Sequence, residues 1–546
     1  MVALRALMRI PKTPVGTSND AGATRFPIST DDLPEWKHTR TTGERPLLTS
    51  LAPSWAPEVG VNPAAVPVAM IADEFTYQSF APEFQVYRLH PDTWRETMEK
   101  AQPALFFCES AWSGGAPPER PWAAQIYATV RWAQERRQHL FEILAYCRKK
   151  GIPTVFWNKE DPIHFTNRIN DFVRTAALFD VALTTAEECV ELYQRDAGVE
   201  HAYALPFAVQ PTLFNPLGAR SPRNAAVFAG TWYDRYPQRT AALSRIMDLV
   251  VSSGRDMVIY DRQFNVPSGS GYDYPERYQK YRRPAIPYER TADAYRANLF
   301  GITLNTITDS RTMFARRVFE MAACGQAILS NTALGVEEFF GDSVIYADRE
   351  PERFLALDDA ETARLRKEAL HVALRNTYAH RAVTILDSVG ITAAPVEQAP
   401  TLAVVVRTID DYERARRHAS DAFGHLLCLV ADDAEEGLLL TLSRRHDPGV
   451  SVEVESRVRS GEIRSRGLLP TRAVLFVENG ELPGEEWVRT AQLHLSYADL
   501  PIVPGNTRGI ALERLESSGA AVSLMTAELF DRHVCAGEPV AAVYSL

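Results

Sequence analysis

The chain has 546 residues, 46% of them hydrophobic and 23% charged, and a formal net charge of −10. That length exceeds a single core and predicts two to four domains at roughly 100–200 residues each, in a composition typical of globular proteins. The acidic balance argues against nucleic acid as the main partner, and no apolar run approaches the roughly 18 residues a membrane-spanning helix needs.

Residues 1–64 are rich in Pro, Thr, Ser and Gly and are expected to form a loosely ordered arm. The first residues lack an apolar core and a small-residue cleavage site, so no signal peptide is expected and the expected location is cytoplasmic. From Val66 onward, β-rich runs at 66–72, 104–108, 154–157 and 181–184 alternate with helical stretches. The longest of these, 122–150, stops at Gly151 before Pro153. This predicts a parallel α/β unit over residues 65–220. After a Pro/Asn-rich bridge, runs at 226–229, 257–260, 301–305, 327–330 and 344–346 predict a second unit over 221–395. A helical stretch at 361–386 is expected to close it and cross back to the first. Two consecutive doubly wound units place a ligand cleft between the carboxyl ends of their sheets.

Residues 400–546 read again as strand, helix, strand and predict a smaller α/β domain, kept for packing, acceptor binding or homo-oligomer contacts. Its strand at 473–477 runs into Glu478, Asn479, Gly480 and Glu481. That is a poorer set of hard ligands than a divalent metal takes, so no metal is expected. The pairs Asp410, Asp411 and Asp432, Asp433 are expected at turns and a strand end. Six cysteines without close spacing predict reduced core residues.

The chemistry concentrates in residues 309–341. Good helix formers over 312–324 end at Gly325, followed by an apolar run at 327–330. Helical spacing puts Arg316, Arg317 and Glu320 on one side and Phe314, Val318, Met321 and Ala322 on the other. A carboxylate accepts ribose hydroxyls and forked guanidinium groups answer a diphosphate; the plain alternative is a solvated face with a weak ion pair. Ser310 and Thr312 are read as helix caps, with sugar or phosphate contact as a second role. Gly230 follows an apolar run and opens a loop into a helix, where backbone donors cradle phosphate, or it is simply a turn.

In the first unit, Asn158, Lys159, Glu160 and Asp161 follow a predicted strand and are expected to point into the cleft on the acceptor side. Glu160 or Asp161 would serve as general base in an inverting reaction or stabilise an oxocarbenium-like state in a retaining one. His164 is the substitute, or a packed histidine. Trp112 stacks on a sugar acceptor or shields the hinge.

The segment FARRVFEMAACGQAILSNTALGVEEFFG resembles the signature of group 1 glycosyltransferases, and more closely their spore-maturation-protein-like (CgeB-type) branch. FWNKEDPIHF, FDVALTTAEECVELY, LPFAVQPTLFNP, FAGTWYDRYPQR and ITLNTITDSRTMF are similar to further segments of that family, which together span about residues 65–390. The resemblance implies two Rossmann-like domains in the GT-B arrangement, a nucleoside-diphosphate sugar as co-substrate and no further cofactor. It also implies Glu320 on the donor ribose, Arg235 or Arg239 adding charge beside Gly230, and Tyr260 and Asp261 near the base. The group 1 pattern has a Glu eight residues before Glu320, where this chain has Thr312. Residues 400–546 are similar to a shortened GT-A-type domain. The implied activity is metal-independent, retaining transfer of a sugar to an unidentified acceptor. Its rivals are a nucleotide-sugar epimerase or hydrolase and a non-catalytic nucleotide-sugar-binding scaffold.

Overall fold

The computed structural model describes residues 60–131, 134–167, 169–218, 222–396, 398–419, 422–478, 481–505, 512–516 and 521–546. The expected arm at 1–64 therefore lies outside the described residues up to residue 59. The described remainder is tied down: Val61 bridges Ala393, its N–H donating to the carbonyl of Thr392.

The first sheet is parallel, with β1 (Pro67–Ile71), β2 (Gln85–Arg88), β3 (Leu105–Glu109), β4 (Thr154–Asn158), β5 (Val181–Thr184) and β6 (Ala202–Ala204) in the order β2-β1-β3-β4-β5-β6. Every residue of β3, β4 and β5 is buried, as continuous apolar runs covered on both faces should be. The helix expected over 122–150 is shorter: α1 spans Gln138–Lys150. Upstream, Trp122 is fully buried and donates its indole N–H to the carbonyl of Leu89, and Ala128 pairs with Asp171. Tertiary contacts of these side chains override the local helical preference.

The second sheet is also parallel. It contains β7 (Arg223–Gly230), β8 (Asp256–Asp261), β9 (Arg282–Pro284), β10 (Asn298–Ile302), β11 (Ala327–Ser330) and β12 (Val344–Tyr346), ordered β12-β11-β10-β7-β8-β9. Counted from β7, this is the 3-2-1-4-5-6 order of dinucleotide-binding sheets, with its switch point between β7 and β10. In the first sheet the switch falls between β1 and β3. The carboxyl ends of those four strands are where ligands are expected.

Two passages of chain join the units: Val209 bridges Thr377 in parallel, and Tyr378 donates its N–H back to the carbonyl of Val209. The stretch expected as one helix is broken there into α2 (Asp359–Leu374) and α3 (Tyr378–Ser388). α2 packs on the second unit. α3 crosses back, burying Tyr378, Ala382, Ile385 and Leu386 in the first unit's core.

The remaining strands, which include β17 (Ile502–Val503), β18 (Glu513–Glu516) and β20 (Ala542–Ser545), form an eight-stranded mixed sheet ordered β15-β14-β13-β16-β19-β17-β20-β18. β13 (Thr401–Val406), β14 (His425–Val430), β15 (Val450–Val454) and β16 (Ala473–Val477) are parallel, and β19 (Val522–Thr526) runs antiparallel to β16. Glu478 is paired with Arg459 at 2.7 Å, and Asn479 and Gly480 lie outside the described residues. Asp411 caps a helix with Thr408, and Asp433 follows β14 and pairs with Arg407. All six cysteines are free and buried. No helix among the described residues is long and apolar enough to cross a membrane.

This third unit docks on α2 through Leu370 and Leu374, where the His371 and His494 rings lie 6.1 Å apart. Burial, with Lys367 and Arg375 nearby, holds His371 down at about 4, and burial with His371 and Lys367 holds His494 at about 3. Unfolded, both imidazoles protonate near 6.5, so below that pH the unfolded state binds more protons than the folded one. Stability of the docked unit is therefore expected to be intact above pH 6.5 and to fall as the pH drops from 6.5 to about 3. Melting midpoints against pH should show this slope, and His494→Leu should flatten it.

Candidate functional site

At the mouth of the first sheet a charged residue stands at or just past the end of β1, β3 and β4: Asp73, Glu109 and Lys159. The Lys159 ammonium is 2.8 Å from Asp73 Oδ2 and 3.1 Å from Glu109 Oε1. Asp73 also accepts the N–H groups of Trp112, Ser113 and Gly114 at 3.0, 2.7 and 2.8 Å, which fixes the loop after β3. Burial alone would raise the Asp73 carboxyl; Lys159 and these donors hold it below its usual value. Glu109, fully buried, is pushed up by burial against the pull of Lys159 and accepts from Thr76. Burial disfavours the Lys159 charge, but the two carboxylates raise its pKa.

Lys159 is thus committed to Asp73 and Glu109 instead of reaching an acceptor, which corrects the expectation from its place after a strand. Asn158 and Asp161 are corrected likewise. Both are fully buried: Asn158 donates to Asp161 and Tyr193, and Asp161 accepts from Thr184 at 2.7 Å and Tyr193 at 3.0 Å. Burial pushes the Asp161 carboxyl up to about 7. It closes the base of the loop and does not face the cleft.

Glu160 and His164 are brought together on Trp112. The indole N–H donates to Glu160 Oε1 at 2.9 Å, and the imidazole meets the indole edge-on at 5.5 Å. Burial lowers the His164 pKa, with Glu160 opposing, and its Nδ1 faces the Asn167 amide at 3.0 Å.

On the donor side, the helix starts later than predicted: α4 spans Arg317–Ala323. Ser310 and Thr312 lie before it and reach across to the first unit. The Thr312 hydroxyl donates to the carbonyl of Thr185 at 2.9 Å and accepts the N–H of Glu187 at 2.8 Å. Ser310 Oγ accepts the N–H of Met313 and donates to Glu188 Oε2, both at 3.0 Å. The Thr312 hydroxyl therefore clasps the two units together and does not cap α4. Thr312→Val keeps the shape and removes both bonds, at roughly 1 kcal/mol each. It is expected to loosen the pair of units, seen as a larger radius of gyration by X-ray scattering with a midpoint shift of a few degrees.

Glu320 is only 4% exposed, and Arg316 Nε lies 2.8 Å from its Oε1. The pair is therefore not a solvated face. Burial works against the Arg316 charge, but Glu320 and Tyr288 keep it protonated. The Arg316 guanidinium also stacks on Phe75 of the first unit, 4.2 Å from the ring centroid, and the same ring receives Lys159 at 4.5 Å.

Beside this pair stand three arginines with no carboxylate partner among the described residues. Arg239 donates to the carbonyl of Thr231 at 3.1 Å, and Arg262 to the Thr231 hydroxyl at 3.2 Å. Burial and then Arg317 push the Arg239 pKa below its ordinary value; burial depresses Arg317, with Tyr295 and Glu320 opposing it and Arg316 and Arg262 adding to it. Like charges held at the end of β7 favour an anion among them. Arg235 points away, exposed, over Tyr233 and Tyr236 at 5.5 and 4.9 Å. A Cβ on Gly230 would come within 2.5 Å of the Phe228 ring, so packing dictates this glycine. Tyr260 packs against the core. Asp261 is fully buried and paired with Arg282 at 2.7 Å, so it is corrected from a ligand contact to a structural ion pair.

Sequence reading missed Asp73 and Glu109. The available signal was a charged residue directly after each of two apolar runs that flank a switch point.

Residues 249–387, which hold β8 to β12, α4 and Glu320, match the family model described as glycosyl transferase-like. The chain is 25% identical over 193 residues to the spore protein CgeB of Bacillus subtilis, a match covering 33% of this chain and 56% of that protein. It thus spans little more than half the length of that relative. Among solved structures, an alpha-glucosyltransferase in complex with UDP overlaps 60% of this chain and 99% of its own, with 10% identity and a TM-score of 0.40. TarM overlaps 52% of this chain and 54% of its own, with 8% identity and a TM-score of 0.35.

Proposed function

We propose that this protein is a glycosyltransferase that moves a sugar from a nucleoside-diphosphate sugar to an acceptor held against the first unit. The observation that carries the reading is the set of Arg239, Arg262 and Arg317, unpaired with carboxylate among the described residues and set beside the buried Arg316–Glu320 pair. A diphosphate relieves their mutual repulsion with forked, charge-assisted bonds. The developing charge on the leaving nucleoside diphosphate is met by groups already in place. Glu320 orients the ribose through its second oxygen, Arg316 occupying the first. The chemistry drawn here uses the chain's own cations and proceeds with retention, as the resemblance implies.

On the acceptor side, Glu160 and His164 are the groups able to hold or move the acceptor's proton, because both lie half-buried at Trp112. Thermal stabilisation by UDP, GDP, dTDP and their sugar conjugates tests the donor half. Ligand at a hundredfold excess over its dissociation constant adds about 2.7 kcal/mol to stability, several degrees for a unit of this size. No shift with any of them would overturn the reading.

A further inference from the structure

Across the acceptor side of the cleft, the loop after β3 and the irregular stretch that follows it carry a second group of cations. Arg120 is exposed and among the described residues its guanidinium bonds neutral oxygens alone, Ser113 Oγ at 3.2 Å and the Trp112 carbonyl at 3.4 Å. Arg131 is exposed and has no carboxylate partner among the described residues. Tyr127, four residues before Arg131, packs on Trp112 at 5.6 Å, and Arg120, Arg131 and Arg136 all act on its hydroxyl. In a chain of net charge −10, two such arginines beside the cleft are a local reversal of sign.

Next to them the surface is apolar. Val130 is 47% exposed and Ile169 39%. An isolated antiparallel bridge joins Ala128 to Asp171, and Val130 and Ile169 each lie two residues beyond it on its two arms. The neighbouring aromatic ring and two aliphatic side chains give an apolar strip that begins where the cations end.

We propose that the acceptor is a phosphorylated amphiphile: its phosphate binds Arg120 and Arg131, and its apolar portion lies along Val130 and Ile169. Guanidinium forks match phosphate oxygens, and the aliphatic strip supplies the area-dependent part of the binding. The glycosylated hydroxyl then sits near Trp112, within reach of Glu160 and His164. The inference rests on the transferase reading for the word acceptor, but its test does not need transfer to occur.

Octyl phosphate, kept below its micellar concentration, is the probe, with inorganic phosphate and octyl glucoside as comparisons, titrated calorimetrically into the whole chain. Octyl phosphate is expected to bind at least tenfold more tightly than either comparison. The double variant R120Q/R131Q and the single variant V130D should each lose tenfold or more, while R195Q, at an exposed arginine paired with Asp196 and outside both sites, should bind it as the parent does. Parental affinity in the double variant or a matching loss in R195Q would each overturn the proposal. The donor shift with nucleotides is measured separately on the same variants, so a failed donor reading remains distinguishable from a failed acceptor one.

Discussion

Lys159→Met is expected to destabilise the protein by about 3–5 kcal/mol, the usual consequence of removing one partner from a buried ion pair. The physical cause is specific. Lys159 is the cation bonded to both Asp73 and Glu109, and methionine of similar length fills the space without answering either charge. Glu109 would take up a proton, while Asp73, still bonded to three N–H groups, would keep its charge at a higher cost. The melting midpoint of the first unit should fall by about 10 °C at ~2–4 °C per kcal/mol. Adding Glu109→Gln should recover part of that loss, because a neutral amide at this position no longer has to take up a proton when the lysine is gone. A midpoint within two degrees of the parent would show that water reaches the cluster and that the carboxylates never depended on lysine.

The second large effect is expected at Arg317. Arg317→Gln keeps polarity and approximate length but removes the charge, and a hydrogen bond to a charged group is worth about 1.5–3 kcal/mol. Donor affinity should fall by about 10–100-fold. The unliganded variant should melt no lower than the parent, because a repulsion from Arg239 and Arg262 has been removed with the charge. This opposite movement of stability and affinity separates a ligand-binding cation from a structural one. Glu320→Gln is the companion measurement. It should weaken nucleotides that carry ribose while leaving pyrophosphate binding within about threefold, since only the ribose depends on that carboxylate. If pyrophosphate and nucleotide weaken together, Glu320 acts by holding Arg316 in place.

The parallel strands were legible because doubly wound sheets need continuous apolar runs. β5, β11, β12 and β16 have the predicted bounds, and the other predicted long strands shift by one to three residues. The short edge strands β2, β6 and β9 were not, since three or four half-exposed residues leave no pattern to read. The helix placed over residues 122–150 failed at its first half because Trp122 and Ile126 are apolar for the sake of a core that lies elsewhere in the sequence. At the site, Arg316, Arg317 and Glu320 could be put on one helix from spacing alone. The unmade half of the picture was pairing: spacing cannot say that Asp261 is taken by Arg282, or that Thr312 spends its hydroxyl on Thr185 and Glu187. Partners separated by 21 and 127 positions meet only in three dimensions.

The third unit touches both of the others. Its strand β16 is preceded by Arg472, which donates to Asn62 Oδ1 at 2.6 Å near the start of the first unit, while its core takes in Leu370 and Leu374 of α2. The two large units are therefore joined by two passages of chain and also spanned by a third body anchored at each side. Such a strut limits how far the jaws can swing, and a wide rotation would have to tear one anchorage or bend the mixed sheet. Exchange of substrates is then a matter for the loops at the rim, and shortening the chain before residue 400 would convert a stiff clamp into one with a free hinge.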